Sequence, residues 1–434
     1  MFLTLNVTPV LMLFSGINGS EKVQSKLNVV LIMLDDFRGG IGALGDKLAK
    51  TPNMDLLAQR SFYFPHVYAS QALCAPSRNS MLTSRRPDTL LTYNFQHYWR
   101  TFVGNYTTLP QYFKENGYRT ESVGKIFHHG PSSNKTDDFP YSWSNPTYIP
   151  STQDYRNKPV CIGDDGNLRR NLICPVVVNL QPESTLPDIQ VAKKAREFLN
   201  ESHDKPFFLG VGFYKPHIPF KFPAEYLDQH DINNFKRDLI RPIDIPDVAW
   251  NPYNDLRERD DFKALNVSFP FGPVPSEFAA KIRQHYYASV TYVDDLIGGV
   301  LEFVDFSNTI VILTSDHAWS LGEHSAWSKF NESDHFAFSQ YPRPGTFPSK
   351  SPDSDQPKLR EIKIMGYSIR SKQFRYTAWI KFNSKKFKRN WRKIYGEELY
   401  DHSFDDDENI NLAHRFGFED IKNEFKQRLM QKFP

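Results

Sequence analysis

Four short apolar runs, each ending in residues that carry chemistry, constrain this chain more than any other feature. They are "NVVLIMLDD", ending in Asp35-Asp36, "YRTESVGKIFHHG", leading to Lys125 and His128, "PFFLGVGFYKPH", ending at His217, and "NTIVILTSDH", ending in Asp316-His317. Each is rich in β-branched residues and long enough for a strand buried on both faces. Helical stretches such as 187–202 and 275–305 space them. Together they predict an α/β fold whose mostly parallel central sheet is flanked on both faces by helices. In open sheets of this kind, ligands sit beyond the carboxyl ends of the strands. One edge should therefore collect two Asp-containing pairs, a lysine and two further histidines.

The 434 residues, 40% hydrophobic and 15% aromatic, are ample for a large core. A net charge of +3 spread over mixed signs gives nucleic-acid binding no compositional support. The opening "MFLTLNVTPVLMLFSGINGS" has the length of a signal peptide, although no basic residue precedes its apolar run, and residues 1–25 are expected to be a leader. No later apolar run reaches the roughly 18 residues that span a bilayer, so a chain that is not membrane-spanning is expected. Asn-x-Ser/Thr sites at Asn105, Asn134, Asn200, Asn266 and Asn331 fit a glycosylated lumenal protein. Residues 219–275 read as a long excursion from the core. The loop-like "SQYPRPGTFPSKSPDSDQPK" marks a boundary, placing the main domain at 26–333 and a smaller one at 334–434. Within the latter, "IKIMGYSIRSKQFRYTAWIKF" predicts an antiparallel hairpin about Ser371-Lys372, and 418–431 a closing helix.

Asp35, Asp36 and Asp316 make an oxygen-rich site suited to Ca²⁺ or Mg²⁺, with His317 a less usual companion. Cys161 and Cys174, thirteen apart around a "GDDGN" turn, are natural disulfide partners in an oxidising compartment. That leaves Cys74 alone, just ahead of Pro76 and so near a helix N-terminus, where free N–H groups and the helix dipole favour an anion. A lowered thiol pKa would suit a cysteine nucleophile. A thiolate beside a hard divalent ion is poor matching chemistry, however, and the residues alone leave Cys74 without an explanation.

The segment "CAPSR…LTSRRPD" resembles the signature of the sulfatase family, in which the cysteine of C-x-P-S-R is oxidised in the endoplasmic reticulum to formylglycine. The surroundings match as well, in "NVVLIMLDD", "TPNMDLLA", "LPQYFKENGYRTESVGKIFHHG", "PYSW", "FYKPHIPF", "ASVTYVDDLIG", "TSDHAWSLGEH", "SQYPRP", "IKIMGYSIR…FRYT" and "ELYDHSFDDDENINLA". The resemblance runs from about Asn28 to Ala413. Within the family it is nearest to the lysosomal enzymes that remove 2-O-sulfate from iduronate in heparan and dermatan sulfate. It implies an alkaline-phosphatase-like fold with a smaller C-terminal antiparallel sheet, and the formylglycine-generating enzyme as a partner during maturation. It further implies that Asp35, Asp36, Asp316 and His317, with modified Cys74, hold Ca²⁺. Hydrated formylglycine would attack sulfur to give a sulfate ester. Arg78 would steady the diol, Lys125 and Lys329 would hold the sulfate oxygens, His128 would act as base, and His217 would protonate the leaving alcohol. The product would be a lysosomal or secreted enzyme acting on a sulfated glycosaminoglycan.

The chain also departs from the family pattern. Thr83-Ser84-Arg85 replaces T-G-R, and Asp316-His317-Ala318 replaces D-H-G, where Ala would be strained if the position is left-handed. After "WSKFNESD" a T-H-x-P-L segment and a core strand are missing near 334–337. Gln356 stands where the family's S-D-K-P carries a lysine, leaving Lys358 as the nearby substitute. The run "KFNSKKFKRNWRK" (381–393) carries seven basic residues, which predict a solvated helix face or a polysaccharide-binding patch. These departures keep two alternatives open, a sulfatase of other specificity and an impaired homologue that only binds glycosaminoglycan.

Overall fold

The four apolar runs form β1 (Asn28–Asp35), β2 (Arg119–Gly124), β3 (Phe207–Pro216) and β4 (Thr309–Ser315), and they lie side by side in the order β4, β1, β3, β2. All three pairings are parallel, with Val29 opposite Phe208 on one side and Ile310 on the other. The computed structural model describes residues 2–4, 26–64, 67–163, 165–236, 241–242, 244–327, 329–330 and 337–434. Of the expected leader, only Phe2–Thr4 is among them, and its backbone pairs antiparallel with β4.

Burial on both faces explains why these strands are apolar throughout rather than alternating. Along β1, Val30, Ile32 and Leu34 pack with residues of α2 (Pro187–Leu199) and α3 (Ser276–Leu301). Val29, Leu31 and Met33 face the other way, against Leu82, Leu90, Trp99, Phe127 and Trp143. Leu82 belongs to α1 (Cys74–Thr83), so the helix that begins with Cys74 is pinned to the sheet by its own apolar residue. Ile32 is fully buried, and truncating it to Ala would cost about 2–5 kcal/mol. The register of β1 against β3 slips between Met33 and Asp35, where the chain leaves the sheet to form the site.

A second sheet is antiparallel throughout, in the order β5 (Ala337–Arg343), β6 (Ile364–Arg370), β7 (Phe374–Asn383), β8 (Lys388–Asp401). Phe425 and Leu429 of α4 (Glu419–Lys432) cover one face of it, together with Tyr367, Ile369 and Tyr376. The hairpin about Ser371-Lys372 and the closing helix therefore form where they were expected. Two readings are corrected. "SQYPRP" is a strand rather than a loop, because it lies on the sheet edge, where proline removes no ladder bond that the strand needs. The basic run 381–393 is the turn and flanks of the β7–β8 hairpin, not a helix. Two of its groups are structural. Arg389 pairs with Asp88, and the Trp391 indole donates to the Phe433 carbonyl at 2.9 Å.

Cys161 and Cys174 form the disulfide, with Cα atoms 5.4 Å apart, and Cys74 takes no part in one. Asn105, Asn134, Asn200 and Asn266 are all exposed, while Asn331 and the proposed gap after Asp334 lie outside the described residues. Among the described residues no helix is long and apolar enough to cross a membrane.

Candidate active site

The carboxyl ends of β1 to β4 converge on the N-terminus of α1. Cys74 is the first residue of that helix, behind an extended Leu73, and is buried. Its Sγ lies 3.5 Å from Asp35 Oδ1 and 3.4 Å from His317 Nε2. His317 Nδ1 is 3.0 Å from Asp36 Oδ1. One ligand atom from each of Asp35, Asp36, Cys74 and His317 falls within 4.8 Å of the others. Asp36 takes a left-handed backbone (φ 64°), a conformation that Asp tolerates better than most residues and that turns the chain sharply after Asp35.

Asp316 adjoins this group of four, with its Oδ2 3.3 Å from His317 Nε2. Its Oδ1 accepts the backbone N–H groups of Asp36 (3.1 Å) and His317 (2.9 Å), and its Oδ2 accepts Arg78 Nε at 2.9 Å. Arg78 is sealed from solvent. Its Nη2 is 3.3 Å from Asp35 Oδ1, and its Nη1 donates to the carbonyls of Lys125 and Ile126. Burial opposes its charge, but Asp316 and Asp35 overcome that and hold its pKa above the ordinary guanidinium range. The buried Lys125 ammonium pairs with Asp35 Oδ2. The cations thus fix the carboxylates in place.

Histidine 128 and 129 follow one another, and the structure separates their functions. His129 Nδ1 pairs with Asp137 and its Nε2 is 3.0 Å from the Tyr214 hydroxyl, so both ring nitrogens are occupied. His128 stacks on Phe95 with ring centroids 4.2 Å apart, and its sealed Nδ1 has no hydrogen-bond partner among the described residues. Burial, reinforced by the charge of Lys125, holds its pKa well below the ordinary imidazole value, so it is neutral and able to accept a proton. His217 Nε2 lies 3.5 Å from Asp36 Oδ2, which brings the fourth strand end to the same site. Arg156, a contact that nothing in the sequence pointed to, sits 3.0 Å and 3.2 Å from the two nitrogens of the His217 ring. The backbone of Lys329 pairs with Trp319, one turn of chain after His317, while its side chain is outside the described residues.

The two substituted glycine positions behave differently from each other. Ala318 lies in an extended strand opposite Phe330 and carries no left-handed strain. Ser84 is the left-handed residue (φ 54°), closing α1 at its C-cap, where glycine is the usual solution. A cavity of about 310 Å³ is lined by Leu73, the residue before Cys74, and by Arg257, Glu258, Lys350, Asp355 and Gln356, among others. The lysine at this cavity is Lys350 and not Lys358.

A sequence profile of the Sulfatase family matches residues 27–350. The chain belongs to the sulfatase family. Iduronate 2-sulfatases of Mus musculus and Homo sapiens are each 40% identical to this sulfatase, over 86% of its chain and 88% of theirs. Those alignments run over 489 positions, more than the 434 residues of this chain, so the relatives contain residues that it lacks. Among solved structures, the phosphonate monoester hydrolase of Agrobacterium radiobacter superposes with a TM-score of 0.66 at 17% identity, over 94% of this chain and 95% of that one. A 2-O GAG sulfatase superposes with a TM-score of 0.60 at 15% identity, over 94% and 92% of the two chains. These likenesses show the alkaline-phosphatase-like sulfatase fold expected from the sequence.

Proposed function

We propose that this sulfatase removes 2-O-sulfate from iduronate residues of heparan and dermatan sulfate, in the lysosome or after secretion. The observation that carries the reading is the position of Cys74, at a helix N-terminus and within 3.5 Å of both Asp35 and His317. The 40% identity to iduronate 2-sulfatases over most of both chains supports the substrate.

The donor set fits a hard divalent ion. Asp35, Asp36 and Asp316 supply carboxylate oxygens beside His317. The one misfit is the Cys74 sulfur, and that disappears if the thiol stands in for the oxygens of a hydrated formylglycine. The residues that would hold Ca²⁺ are Asp35, Asp36, Asp316, His317 and modified Cys74. Such an ion supplies Lewis-acid polarisation of a sulfate oxygen and neutralises charge.

The remaining functions belong to the chain itself. Arg78 holds Asp35 and Asp316 in place, and Lys125, already paired with Asp35, offers positive charge to the sulfate oxygens. Lys329 would do the same from the strand after His317. His128, neutral and with a free Nδ1, takes the proton from the nucleophile's second hydroxyl as sulfate leaves. His217 delivers a proton to the leaving alcohol oxygen. The four exposed glycosylation sites among the described residues suit passage through the secretory pathway.

A second reading, a sulfatase of other specificity, is favoured by one feature. The cavity at Leu73 is lined by Asp255, Glu258, Asp353 and Asp355, with Gln356 in place of the family's lysine. Incubation of purified protein with a 2-O-sulfated iduronate disaccharide, beside a panel of other sulfated sugars, separates the two. Preferential sulfate release from the disaccharide supports the main reading. Release only from other members of the panel replaces it with the second, and retention on heparin without any release supports the binding homologue.

A further inference from the structure

Beside His217, a small recess is walled by acids as well as bases, with Asp35 and Asp188 in its lining. Its walls include Thr152, Gln153, Arg156, Lys215, His217 and Lys221. Those acids do not balance its basic groups. Asp35 is spent on Arg78 and Lys125, and buried Asp188 accepts the backbone N–H of Tyr214 and faces Lys215. Lys215 is satisfied by the carbonyls of His217 and Pro219. Among the described residues Arg156 and Lys221 have no carboxylate partner. The Arg156 side chain hydrogen-bonds, among the described residues, only to the His217 ring, and Lys221 donates to the Tyr155 carbonyl at 3.1 Å.

A third cation presses on them. Arg259 is 8% exposed, forms no ion pair among the described residues, and its sealed Nε has no hydrogen-bond partner. Burial and the charge of Arg259 push the Lys221 pKa down to about 8, and burial and the charge of Arg156 push Arg259 down to about 10 despite the opposing charges of Asp255 and Asp261, so the uncompensated charge sits on Lys221 and Arg156. Buried positive charge without an anion is costly, and a chain keeps it where an anion arrives. The recess offers about 30 Å³ against roughly 10–15 Å³ for one water, so it takes one compact group and not a sugar ring.

We propose that this recess is a second oxyanion subsite, where Arg156 and Lys221, backed by Arg259, hold a carboxylate or sulfate of the substrate other than the sulfate being cleaved. The proposal rests on the sulfatase reading of the neighbouring site. It gives the substrate a fixed polarity. Its second anion lies on the His217 side, while its uncharged face meets the acid-lined cavity beside Leu73.

The test compares kcat/KM for a 2-O-sulfated iduronate disaccharide with kcat/KM for 4-methylumbelliferyl sulfate, whose only anion is the reacting one. Losing one charge-assisted contact should lower the ratio of the two about tenfold to hundredfold in Lys221→Met and in Arg156→Gln. Lys221→Arg should restore it. A ratio that stays at the unmutated value in both variants overturns the proposal. Carboxyl-reduced disaccharide identifies the source. If its ratio no longer responds to the substitutions the bound group is the uronate carboxylate, and if it still responds the bound group is a sulfate on the adjoining sugar. Should the unmutated protein cleave neither compound, the sulfatase reading fails by itself. Calorimetric titration with the disaccharide then still reads the subsite, with weaker binding to Lys221→Met expected and equal binding contradicting it.

Discussion

Gly212→Ala should disable the site while leaving the fold standing, because of one close approach of backbone to backbone. Gly212 ends its pairing in β3 opposite Gly124, and its carbonyl accepts the Lys125 N–H at 2.8 Å. A Cβ at 212 would lie 2.2 Å from both the carbonyl carbon and the carbonyl oxygen of Lys125, a distance that no real contact of this kind reaches. Relief requires that backbone to move by about 1 Å, and a shift of that size at a catalytic group costs on the order of a hundredfold in rate. Two groups move together. Lys125 carries the ammonium paired with Asp35, and its carbonyl anchors Arg78, which holds Asp316. The overpacking itself should cost about 1–3 kcal/mol, too little to unfold a domain of this size. Gly210→Ala is the matched control in the same strand, since its Cβ would meet side chains and no backbone, Ile126 at 2.9 Å and Trp143 at 3.4 Å. The assay is sulfate release at saturating substrate together with a thermal melt of each variant. The expected result is a similar small drop in Tm for both, with kcat down about a hundredfold only for Gly212→Ala. Equal kcat in the two variants would refute the claim that the glycine exists to let Lys125 approach.

Further outcomes follow from other parts of the structure. Removal of divalent cations with a chelator leaves Asp35, Asp36 and Asp316 crowded without their counter-ion, so turnover should vanish, Tm should fall, and added Ca²⁺ should restore both. Full activity after exhaustive chelation would be incompatible with the metal site. Burial pushes the Asp355 carboxyl up to about 7, so between its unfolded pKa of about 4 and about 7 the folded chain binds a proton that the unfolded chain has lost, and stability falls as pH rises through that window. Asp355→Asn removes this cost, so denaturant titrations should show the variant gaining on the parent as pH rises from about 4 to 7.5. A stability difference that is flat across that window contradicts the assignment. Ser84 holds a left-handed C-cap while its side chain is exposed, so Ser84→Gly should raise stability by roughly 1 kcal/mol. A lower Tm in that variant would show that the serine has a use the backbone does not reveal.

The parts of the fold legible in the sequence are those where a single physical demand dominates. Burial on both faces writes itself as unbroken runs such as "VVLIML", and the chemistry at their ends marked Asp35, Asp36, His217, Asp316 and His317. The strand at Ala337–Arg343 was hidden because Pro342 suppresses a strand signal everywhere except on an edge, and edges are defined only by the neighbours that fold around them. The hairpin at 381–393 was hidden because lysine and arginine on exposed flanks obscure its alternation. Arg156 and Arg259 carry no motif and come to His217 and Lys221 from remote loops, so only the folded chain reveals them. Gly210 and Gly212 could have been found, since G-x-G inside a strand-like run signals a close backbone approach. The sequence also pointed to strain at the wrong substituted glycine, because left-handed backbone depends on where α1 ends, which places it at Ser84 and not at Ala318.

The central claim is that Cys74 is the precursor of the nucleophile. The measurement that tests it most directly is the mass of the tryptic peptide Ser61–Arg78, from protein made in a host that oxidises sulfatase cysteines. The account predicts the mass of an aldehyde at position 74, trapped by a hydrazine reagent, in preparations that release sulfate. An intact thiol in every molecule of a preparation that turns over substrate would contradict it.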